Sequence, residues 1–359
     1  MMPCSNKSTV HVVHFTSKPG GIEILIPALI RNMTDYVFSV FVIRPPVLGA
    51  ANVYENAAHA VHYGSAKNFR AFVNLFFYAR KNRKDIFHVF NIGPFFLLVL
   101  RLAGVRKVLY SIRGSIYWKN LRQKYVRGIA WKLSLSPGYK LIANSNFSKD
   151  TFAKRIGYDG SCIEVVYNPI DSGQFKGNGK TRNGKEPLRV IYVGRLVIGK
   201  NLQRWLDVAA AIKRHFTDAE FILYGDGPLK SDLQSRSRQL GLENGVHFMG
   251  YAPEIAAAYR QADVLLFISE YESFGNVLVE SIYSGTPVIA GAIPAMREIF
   301  KDFPEFLVEM DENLGKNVLQ KLKDLEKLNR LALSAREQFI ERFGDELHYK
   351  KLRAIYASI

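Results

Sequence analysis

The segment Glu272-Ser273-Phe274-Gly275-Asn276-Val277-Leu278-Val279-Glu280 is followed by Ser284-Gly285-Thr286-Pro287 and the apolar run Val288-Ile289-Ala290. This order predicts a loop, a short helix that begins near Gly275, a glycine stop and a buried strand. The free amides and positive dipole end of such a helix are suited to hold a phosphate. Glu272 on the loop and Glu280 about one turn inside the helix can then grip sugar or ribose hydroxyls on either side of a bound diphosphate.

Strand-like and helix-like runs alternate on both sides of this segment. The apolar runs lie at 10–15, 37–43, 86–90 and 107–112, and again at 189–193, 219–223, 246–248, 264–268 and 287–290. Such alternation predicts an α/β protein of two doubly wound parallel-sheet (Rossmann-like) domains facing across a cleft. The polar stretch 176–187 is the best linker. The predicted domains are therefore 1–172 and 173–343. The chain ends in a long helical tail, roughly 317–359, that is broken near Phe343-Gly344.

The bulk composition is that of a soluble globular protein. Of 359 residues, 48% are hydrophobic and 23% are charged. Two cysteines cannot form a disulfide framework, which fits a reducing compartment. The first residues lack the apolar core of a signal peptide, and the longest apolar run, 94–100, is too short to span a bilayer. These features favour a cytoplasmic protein.

The positive charge is concentrated in the first half of the chain. The net charge is +17, and residues 1–171, with 23 basic and 8 acidic residues, account for +15 of it. A one-sided basic surface indicates an anionic partner, either nucleic acid or an anionic membrane face, unless it is simply a solvated surface.

Two segments of this half have the pattern of basic amphipathic helices. In each segment, apolar residues share one face of the helix, and Lys and Arg residues lie beside that face. The apolar residues are Phe69, Phe72, Val73 and Phe76 in the first segment, and Leu121, Tyr125, Ile129 and Leu133 in the second. Helices of this kind lie on anionic membrane surfaces. Alternatively, the apolar faces pack on the domain's own sheet. Sheet packing and membrane binding are compatible if only the cations of these helices face the lipid.

Several loops after predicted strands could bind a nucleotide. Gly194-Arg195 and Gly199-Lys200 follow the first strand of the second half, where Arg195 could bind a diphosphate bidentately and Lys200 as a point charge. Surface cations on a strand-to-helix loop are the plain alternative. Gly250-Tyr251 could border a base, and Gly20-Gly21 could either admit a phosphate or sugar or form a tight turn.

Signatures of other nucleotide sites are missing from the sequence. There is no Gly-x-Gly-x-x-Gly, no Gly-x-x-x-x-Gly-Lys-Ser/Thr, no Asp-x-Asp and no zinc-ligand spacing. A nicotinamide dinucleotide site, a P-loop and a metal-held diphosphate are therefore not expected. Phosphate charge would be met by cations and helix ends without a metal.

Taken in order, these residues resemble a family-four (GT4) glycosyltransferase with the GT-B fold. The resemblance extends from about residue 10 to 300 and is best in the second half. The motifs that carry it are Gly20-Gly21, Asn168-Pro169-Ile170-Asp171, Val193-Gly194-Arg195-Leu196 with Lys200-Asn201, Gly225-Asp226-Gly227-Pro228, Gly250-Tyr251, Ala262-Asp263-Val264, the Glu272/Glu280 pair and Ser284-Gly285-Thr286-Pro287-Val288-Ile289-Ala290.

The resemblance implies transfer of a hexose-type sugar with retention of configuration at the anomeric carbon. The donor would be a UDP- or GDP-type nucleotide diphosphate sugar, which is a co-substrate, and no other cofactor is expected. The first domain would hold the acceptor and the second the donor, and the C-terminal helix, about 344–359, would pack back on the first domain. By the same resemblance, Arg195 and Lys200 would bind and stabilise the diphosphate, and Gly194 would lie on their loop. Phe274, Gly275 and Asn276 would complete the phosphate site. Glu272 would hold hydroxyls of the donor sugar, and Glu280 would hold the ribose. Gly250 and Tyr251 would border the base, and Gly20 and Gly21 would approach the donor from the other domain.

One position departs from the family pattern. Many relatives carry His after the strand where this chain has Arg113. Neutral His can accept a proton or a hydrogen bond and Arg cannot, so the role of that His does not carry over. Arg113 could instead bind the donor sugar or an acidic acceptor. The expected chemistry is front-face attack, in which the leaving phosphate takes the acceptor's proton.

Three functions are consistent with these features. The first is a retaining glycosyltransferase that is attached peripherally to the inner face of the cytoplasmic membrane. It would act on a glycan or lipid-linked acceptor in cell-surface polysaccharide synthesis, such as that of lipopolysaccharide or capsule. The second is a nucleotide-sugar epimerase of the same fold. The third, a nucleic-acid-binding protein, would explain the charge but not Glu272 and Glu280, and the sequence has no recognised nucleic-acid-binding module.

Overall fold

The chain folds into two compact α/β units. A computed structural model describes residues 7–15, 21–45, 54, 56–114, 121–177 and 186–359. Unit 1 comprises Met1–Pro169 and His348–Ile359, and unit 2 comprises Ile170–Leu347. The chain thus leaves unit 1 after Pro169 and returns to it at His348.

Unit 1 is built around a seven-stranded parallel sheet. Its elements are, in chain order, β1 (Thr9–His14), α1 (Gly21–Asn32), β2 (Val37–Val42), β3 (Ala60–Tyr63), α2 (Asn68–Lys81), β4 (Ile86–Phe90), α3 (Pro94–Leu102), β5 (Val108–Ile112), α4 (Leu121–Ser134), β6 (Lys140–Ala143), α5 (Asn146–Ile156), a 3-10 turn (Gly160–Cys162) and β7 (Ile163–Val165). The strand order is β3-β2-β1-β4-β5-β6-β7, and Val12 lies opposite Val40 on β2 and His88 on β4. The first half therefore has the predicted parallel sheet.

Unit 2 repeats this design with six strands. Its elements are α6 (Ser172–Phe175), β8 (Arg189–Val193), α7 (Leu202–Lys213), β9 (Glu220–Tyr224), α8 (Lys230–Gln239), β10 (Val246–Gly250), α9 (Ile255–Gln261), β11 (Val264–Phe267), α10 (Asn276–Tyr283), β12 (Val288–Gly291), α11 (Pro294–Ile299), a 3-10 turn (Pro304–Phe306), β13 (Leu307–Val308), α12 (Leu314–Lys323) and α13 (Leu325–Phe343). The strand order β10-β9-β8-β11-β12-β13 reverses between β8 and β11. That reversal is where open α/β sheets bind ligands.

The last helix, α14 (Asp345–Ala357), belongs almost entirely to unit 1. Leu352, Ile355 and Tyr356 are buried with α1, β1 and β2 on one face of the seven-stranded sheet. The Tyr356 hydroxyl is 2.6 Å from Nδ1 of the buried His88. Residues far apart in sequence therefore complete the core of unit 1 together.

Helices α2 to α5 cover the opposite face of that sheet, and the first three carry exposed apolar side chains. Ala71, Leu75 and Ala79 of α2 are buried against the sheet. Other apolar residues of these helices are exposed, namely Phe69, Val73 and Phe77 on α2, Phe95 and Leu102 on α3, and Tyr125, Val126, Ile129 and Leu133 on α4. Of the residues predicted to form apolar faces, Phe72 and Phe76 pack on the core, whereas Phe69, Val73, Tyr125, Ile129 and Leu133 do not. The side chain of Leu121 lies outside the described residues.

Three glycines bring the backbones together at the carboxyl edge of the unit 2 sheet. The Gly225 amide donates to the Gly250 carbonyl at 2.7 Å, and the Gly194 amide donates to the Tyr224 carbonyl at 2.9 Å. Gly225 has φ +133°, and a Cβ there would lie 1.9 Å from the Gly194 carbonyl oxygen. The loops after β8, β9 and β10 can therefore pack this closely only if residue 225 has no side chain.

We expect Gly225→Ala to destabilise unit 2 by at least ~3 kcal/mol, because it adds a backbone clash to the strain of a positive φ. Gly241→Ala is the matched control, since Gly241 has φ +67° but open space where a Cβ would lie. That control should cost only ~1–2 kcal/mol. Urea unfolding of the two variants measures the difference, and equal losses would contradict the close approach.

Candidate functional site

Loops that follow β8 and β11 meet at the strand-order reversal of unit 2. The Glu270 amide donates to the Gly199 carbonyl at 3.0 Å, which ties the two loops together. The Lys200 ammonium forms an ion pair with the Glu272 carboxylate, and their side chains are 19% and 14% exposed. The ammonium also lies 5.6 Å from the centre of the Phe267 ring. Lys200 and Glu272, predicted separately from sequence, are therefore direct partners.

Arg195 lies on the loop between these residues and the end of β8. Its side chain is exposed, and among the described residues no carboxylate forms an ion pair with it. Its carbonyl accepts a hydrogen bond from the Tyr192 hydroxyl at 3.1 Å, which fixes the backbone of the loop. The guanidinium consequently remains available to a ligand at this edge of the sheet.

Helix α10 begins where the sequence predicted, directly after Gly275. Gly275 is its N-cap and has φ +92°, a left-handed conformation that favours glycine. Phe274 is buried, with its ring 5.5 Å from that of Phe343, and so anchors the loop before the helix. The positive end of the helix dipole lies at the first turn of α10, so this end is suited to an anion.

Glu280 lies in the second turn of α10 and is held by a tyrosine on the preceding helix. The Tyr259 hydroxyl donates to Oε2 of Glu280 at 2.9 Å. Thr286 donates from its hydroxyl to the Tyr259 carbonyl at 2.7 Å, so the tyrosine is itself fixed. Withdrawal from water raises the pKa of Glu280 to about 7, and the hydrogen bond from Tyr259 opposes that rise only in part. Tyr259 could not be predicted as a site residue from the sequence, because this pairing depends on the packing of α9 against α10.

The residues expected to border a base lie on the same edge of unit 2. Gly250 ends β10 and pairs with Gly225, and Tyr251 follows it with 72% of its surface exposed. Because all six strands are parallel, their carboxyl ends share one edge. Gly194, Arg195, Lys200, Gly250, Tyr251, Glu272, Phe274, Gly275, Asn276 and Glu280 therefore belong to a single edge or to the helix that starts from it.

The remaining predicted site residues belong to unit 1. Gly20 lies outside the described residues, and Gly21 is the first residue of α1. In the first turn of α1, Glu23 accepts a hydrogen bond from Nε2 of His14 at 2.9 Å, and both side chains are buried. This buried pair was not expected from the sequence. It links the end of β1 to the start of α1.

Arg113 follows β5 and lies in a cluster of aromatic and imidazole groups. It donates to Oδ1 of Asn168, and its guanidinium lies 5.3 Å from the centre of the Phe90 ring. Burial lowers the pKa of Arg113 to about 9, so the side chain stays charged near neutral pH. Burial, with help from the Arg113 charge, also lowers the pKa of His348 to about 3 and that of His88 well below its usual value. Both histidines are thus neutral, and Arg113 is the cation of this cluster.

No group of three or more His, Cys, Asp and Glu side chains among the described residues is arranged to hold a metal ion. Within the same ranges, no helix is both long and apolar enough to cross a bilayer.

The raised pKa of Glu280 predicts a pH-dependent effect of Glu280→Gln on stability. The folded-state pKa of about 7 exceeds the ordinary value of 4.5. Stability from the protonated carboxyl is therefore present below pH 4.5 and is lost as the pH rises towards 7. At 1.36 kcal/mol per pKa unit, the variant should be more stable than the parent at pH 8 by up to ~3 kcal/mol, and no more stable near pH 4.5.

Urea unfolding between pH 4.5 and 8 measures this difference. Glu312→Gln, at an exposed position of the same unit, is the matched control and should show no such trend. A constant difference between Glu280→Gln and the parent at every pH would contradict the proposed burial of the carboxyl.

The chain matches two protein-family models in succession. A model described as Glycosyltransferase Family 4 matches residues 19–174, and one described as Glycosyl transferases group 1 matches residues 176–338. The first match falls in unit 1 and the second in unit 2, apart from a few residues at the boundary.

Similar curated proteins include a polysaccharide biosynthesis protein and a synthase. The chain is 25% identical over 217 residues to the Vi polysaccharide biosynthesis protein VipC/TviE of Salmonella typhi, covering 56% of this chain and 37% of that protein. It is 28% identical over 208 residues to the N-acetyl-alpha-D-glucosaminyl L-malate synthase of Bacillus anthracis, covering 55% and 54%. The chain therefore spans about half or less of the length of these curated relatives.

Solved structures share the fold over nearly the whole chain. HepE of Anabaena, in complex with UDP and glucose, has a TM-score of 0.81 at 19% identity and covers 98% of this chain and 100% of its own. The lipopolysaccharide outer core galactosyltransferase WaaB has a TM-score of 0.70 at 18% identity, covering 98% and 99%. Because both family models match in chain order and the fold is shared throughout, the chain belongs to the family-four glycosyltransferases and has the GT-B fold.

Proposed function

We propose that the protein is a retaining glycosyltransferase that transfers a sugar from a nucleotide diphosphate sugar to a glycan or lipid-linked acceptor in cell-surface polysaccharide synthesis. The observation that carries this proposal is the junction of the loops after β8 and β11 at the strand-order reversal, where Gly199, Lys200, Glu270 and Glu272 are in contact. The names of the relatives, which include polysaccharide biosynthesis proteins, support the substrate class.

The diphosphate would be held by positive groups alone. Lys200 has three N–H donors, and its contact with Glu272 occupies one of them, which leaves two for phosphate oxygens. Arg195 adds a planar guanidinium that can bind two oxygens at once. The first amides of α10 add peptide donors at the same edge. These groups can offset the charge of a departing diphosphate, so we propose that transfer requires no divalent metal and no cofactor other than the donor.

The two carboxylates would bind hydroxyl groups. In its ionised form, which predominates above pH 7, Glu280 has acceptor sites left after the hydrogen bond from Tyr259, and these suit the ribose hydroxyls of the nucleotide. Glu272, which shares one oxygen with Lys200, would hold hydroxyls of the donor sugar with its other lone pairs. A UDP- or GDP-type donor is proposed, and UDP-glucose is the first to test because HepE has also been solved in complex with it.

In the transfer step the bond between the anomeric carbon and the diphosphate oxygen breaks, and the acceptor oxygen forms its bond to that carbon on the same face. The acceptor's proton passes to the leaving phosphate. The protein would contribute orientation and stabilisation of the developing negative charge, which come from Arg195, Lys200 and the start of α10.

The charge and exposed apolar residues of unit 1 favour peripheral attachment to the inner face of the cytoplasmic membrane. Side chains such as Phe77, Leu102 and Ile129, exposed on three helices that pack side by side, can enter the interfacial region of a bilayer. Neighbouring cations such as Arg70 and Lys132 can bind anionic headgroups, each contributing ~1 kcal/mol near the surface. A nucleic-acid partner is not proposed, because Glu272 and Glu280 would be unused in such a complex.

We expect Lys200→Ala and Glu280→Gln each to lower the transfer rate at least ~10²-fold, the scale for loss of one transition-state contact. The assay contains EDTA, so it also tests the proposed metal independence. Lys316→Ala, at an exposed position of the same unit, is the control for a lost surface charge. Near-normal rates in both site variants would reject the site, and conversion of the donor sugar without an acceptor would indicate an epimerase instead.

We also expect substitution of the exposed apolar residues to weaken membrane binding. The triple variant Phe77→Ser, Leu102→Ser and Ile129→Ser should lower partitioning to phosphatidylglycerol vesicles at least ~10-fold, since each buried side chain of this size contributes ~1.5–3 kcal/mol. Leu333→Ser, at an exposed position of unit 2, is the control. Equal sedimentation of the triple variant and the parent with vesicles would contradict attachment through this face.

A further inference from the structure

A basic concavity lies in unit 1 at the end of the sheet opposite Arg113. It has a volume of about 570 Å³, and an adjoining cavity of about 290 Å³ shares two of its lining residues, Gly104 and Arg106. Its lining residues come from the end of α2 and the turn after it, and from the segment directly before β5. The concavity therefore lies at the amino ends of β4 and β5. Arg113 follows the carboxyl end of β5, about 17 Å away along a five-residue strand. The volume of the larger cavity is typical of small-molecule sites.

The lining of these two cavities carries only positive charge. The cations are Arg80, Arg83, Lys84, Arg101, Arg106 and Lys107, and no carboxylate lines either cavity. The neighbouring Asp85 is bound instead to the His11 ring at 3.1 Å. Throughout the part of the chain that the structure describes, none of these six cations forms an ion pair. Six like charges within two adjoining cavities repel one another, and a multiply charged anion would relieve that repulsion.

Stabilisation of helix ends explains only part of this cluster. Arg80 and Arg101 lie in the last turns of α2 and α3, where cations interact favourably with the helix dipole. Arg101 also donates to the carbonyls of Leu133 and Leu135 at 2.6 and 3.0 Å. The other four, Arg83, Lys84, Arg106 and Lys107, lie outside the helices and have no such role.

Gly104 allows two of the arginines to lie close to the backbone of the turn after α3. It has φ +83°, and a Cβ at this position would lie 3.3 Å from Nη1 of Arg80 and 3.6 Å from Cδ of Arg83. Both guanidinium groups are thereby placed beside the same concavity. Guanidinium groups bind both carboxylate and phosphate oxygens bidentately. The six unpaired cations that line the two cavities favour the more highly charged phosphate as the ligand group.

We propose that the basic concavity is a second anion site, distinct from the nucleotide site, and that it binds the phosphate groups of a ligand carrying a diphosphate or phosphomonoester. This proposal does not depend on glycosyl transfer, since none of its residues belongs to the proposed donor site. The phosphate can come from a lipid headgroup at a membrane or from a soluble compound, and the experiment separates these two sources.

The test compares two triple variants with the same change in charge. Arg83→Glu, Lys84→Glu and Lys107→Glu reverse three cations of the concavity. Lys154→Glu, Lys316→Glu and Lys327→Glu reverse three exposed cations elsewhere in the chain. Both triple variants and their reference protein carry Lys200→Ala, so that binding of pyrophosphate at the nucleotide site is weakened in all of them. Melting temperatures confirm that each protein is folded, and the concavity variant should not be destabilised because it removes like-charge repulsion.

One arm titrates inorganic pyrophosphate by calorimetry, and the other measures sedimentation with phosphatidylcholine vesicles with or without phosphatidic acid. We expect at least ~10-fold weaker binding for the concavity variant than for the control variant in at least one arm. If only pyrophosphate binding is weakened, the ligand of the concavity is a soluble phosphate compound. If only binding to phosphatidic acid vesicles is weakened, the ligand is a lipid phosphate. Equal binding by the two triple variants in both arms, or no binding by the reference protein in either, would overturn the proposal.

Discussion

Parallel pairing of every strand is the constraint on which the candidate site depends. In a parallel sheet all strands end at the same edge, and strands buried on both faces are mostly apolar, so most polar residues lie on the loops beyond them. In unit 2 this places Arg195 and Lys200 after β8 and Glu272 after β11, the two strands that flank the order reversal. The contact between Lys200 and Glu272, 72 residues apart, follows from that placement. Closure of the neighbouring loops then depends on glycine at position 225, where no side chain fits.

Much of this arrangement could be predicted from the sequence, because local signals agreed with the fold. The glycine at 275 and the run up to Glu280 predicted the start of α10 correctly, and the break of the C-terminal tail at Gly344 is confirmed. The tail has a second break at Asp324, between α12 and α13, which the continuous helical pattern concealed. β3 was missed because Ala60–Tyr63 is short and half-exposed at the edge of its sheet, so it lacks a buried apolar run.

Side-chain partners were harder to predict than elements. Glu280 could be identified from its position in a motif, but Tyr259 is its partner only because α9 and α10 pack together. The buried pair of His14 and Glu23 likewise joins a strand to the next helix across a turn whose conformation the sequence does not determine. The sequence shows the net positive charge of the first half but not its arrangement in space. Only the fold shows that six cations line two adjoining cavities and that exposed aromatic residues lie on the neighbouring helices. Sequence thus identifies chemical groups, whereas tertiary packing determines which of them interact.

The position of α14 in the core of unit 1 has a consequence for synthesis of the chain on the ribosome. Val10, Val12 and Leu29 are buried with Leu352 and Tyr356, and Tyr356 also forms one of the two hydrogen bonds of the neutral His88. Most globular domains can complete their folding while translation continues, at ~5–20 residues per second. Here the amino-terminal unit must wait until the chain has been translated through residue 356, on the order of ten seconds or more after Pro169 is made. During that interval the apolar surface that α14 will cover stays open to chaperones or to other nascent chains.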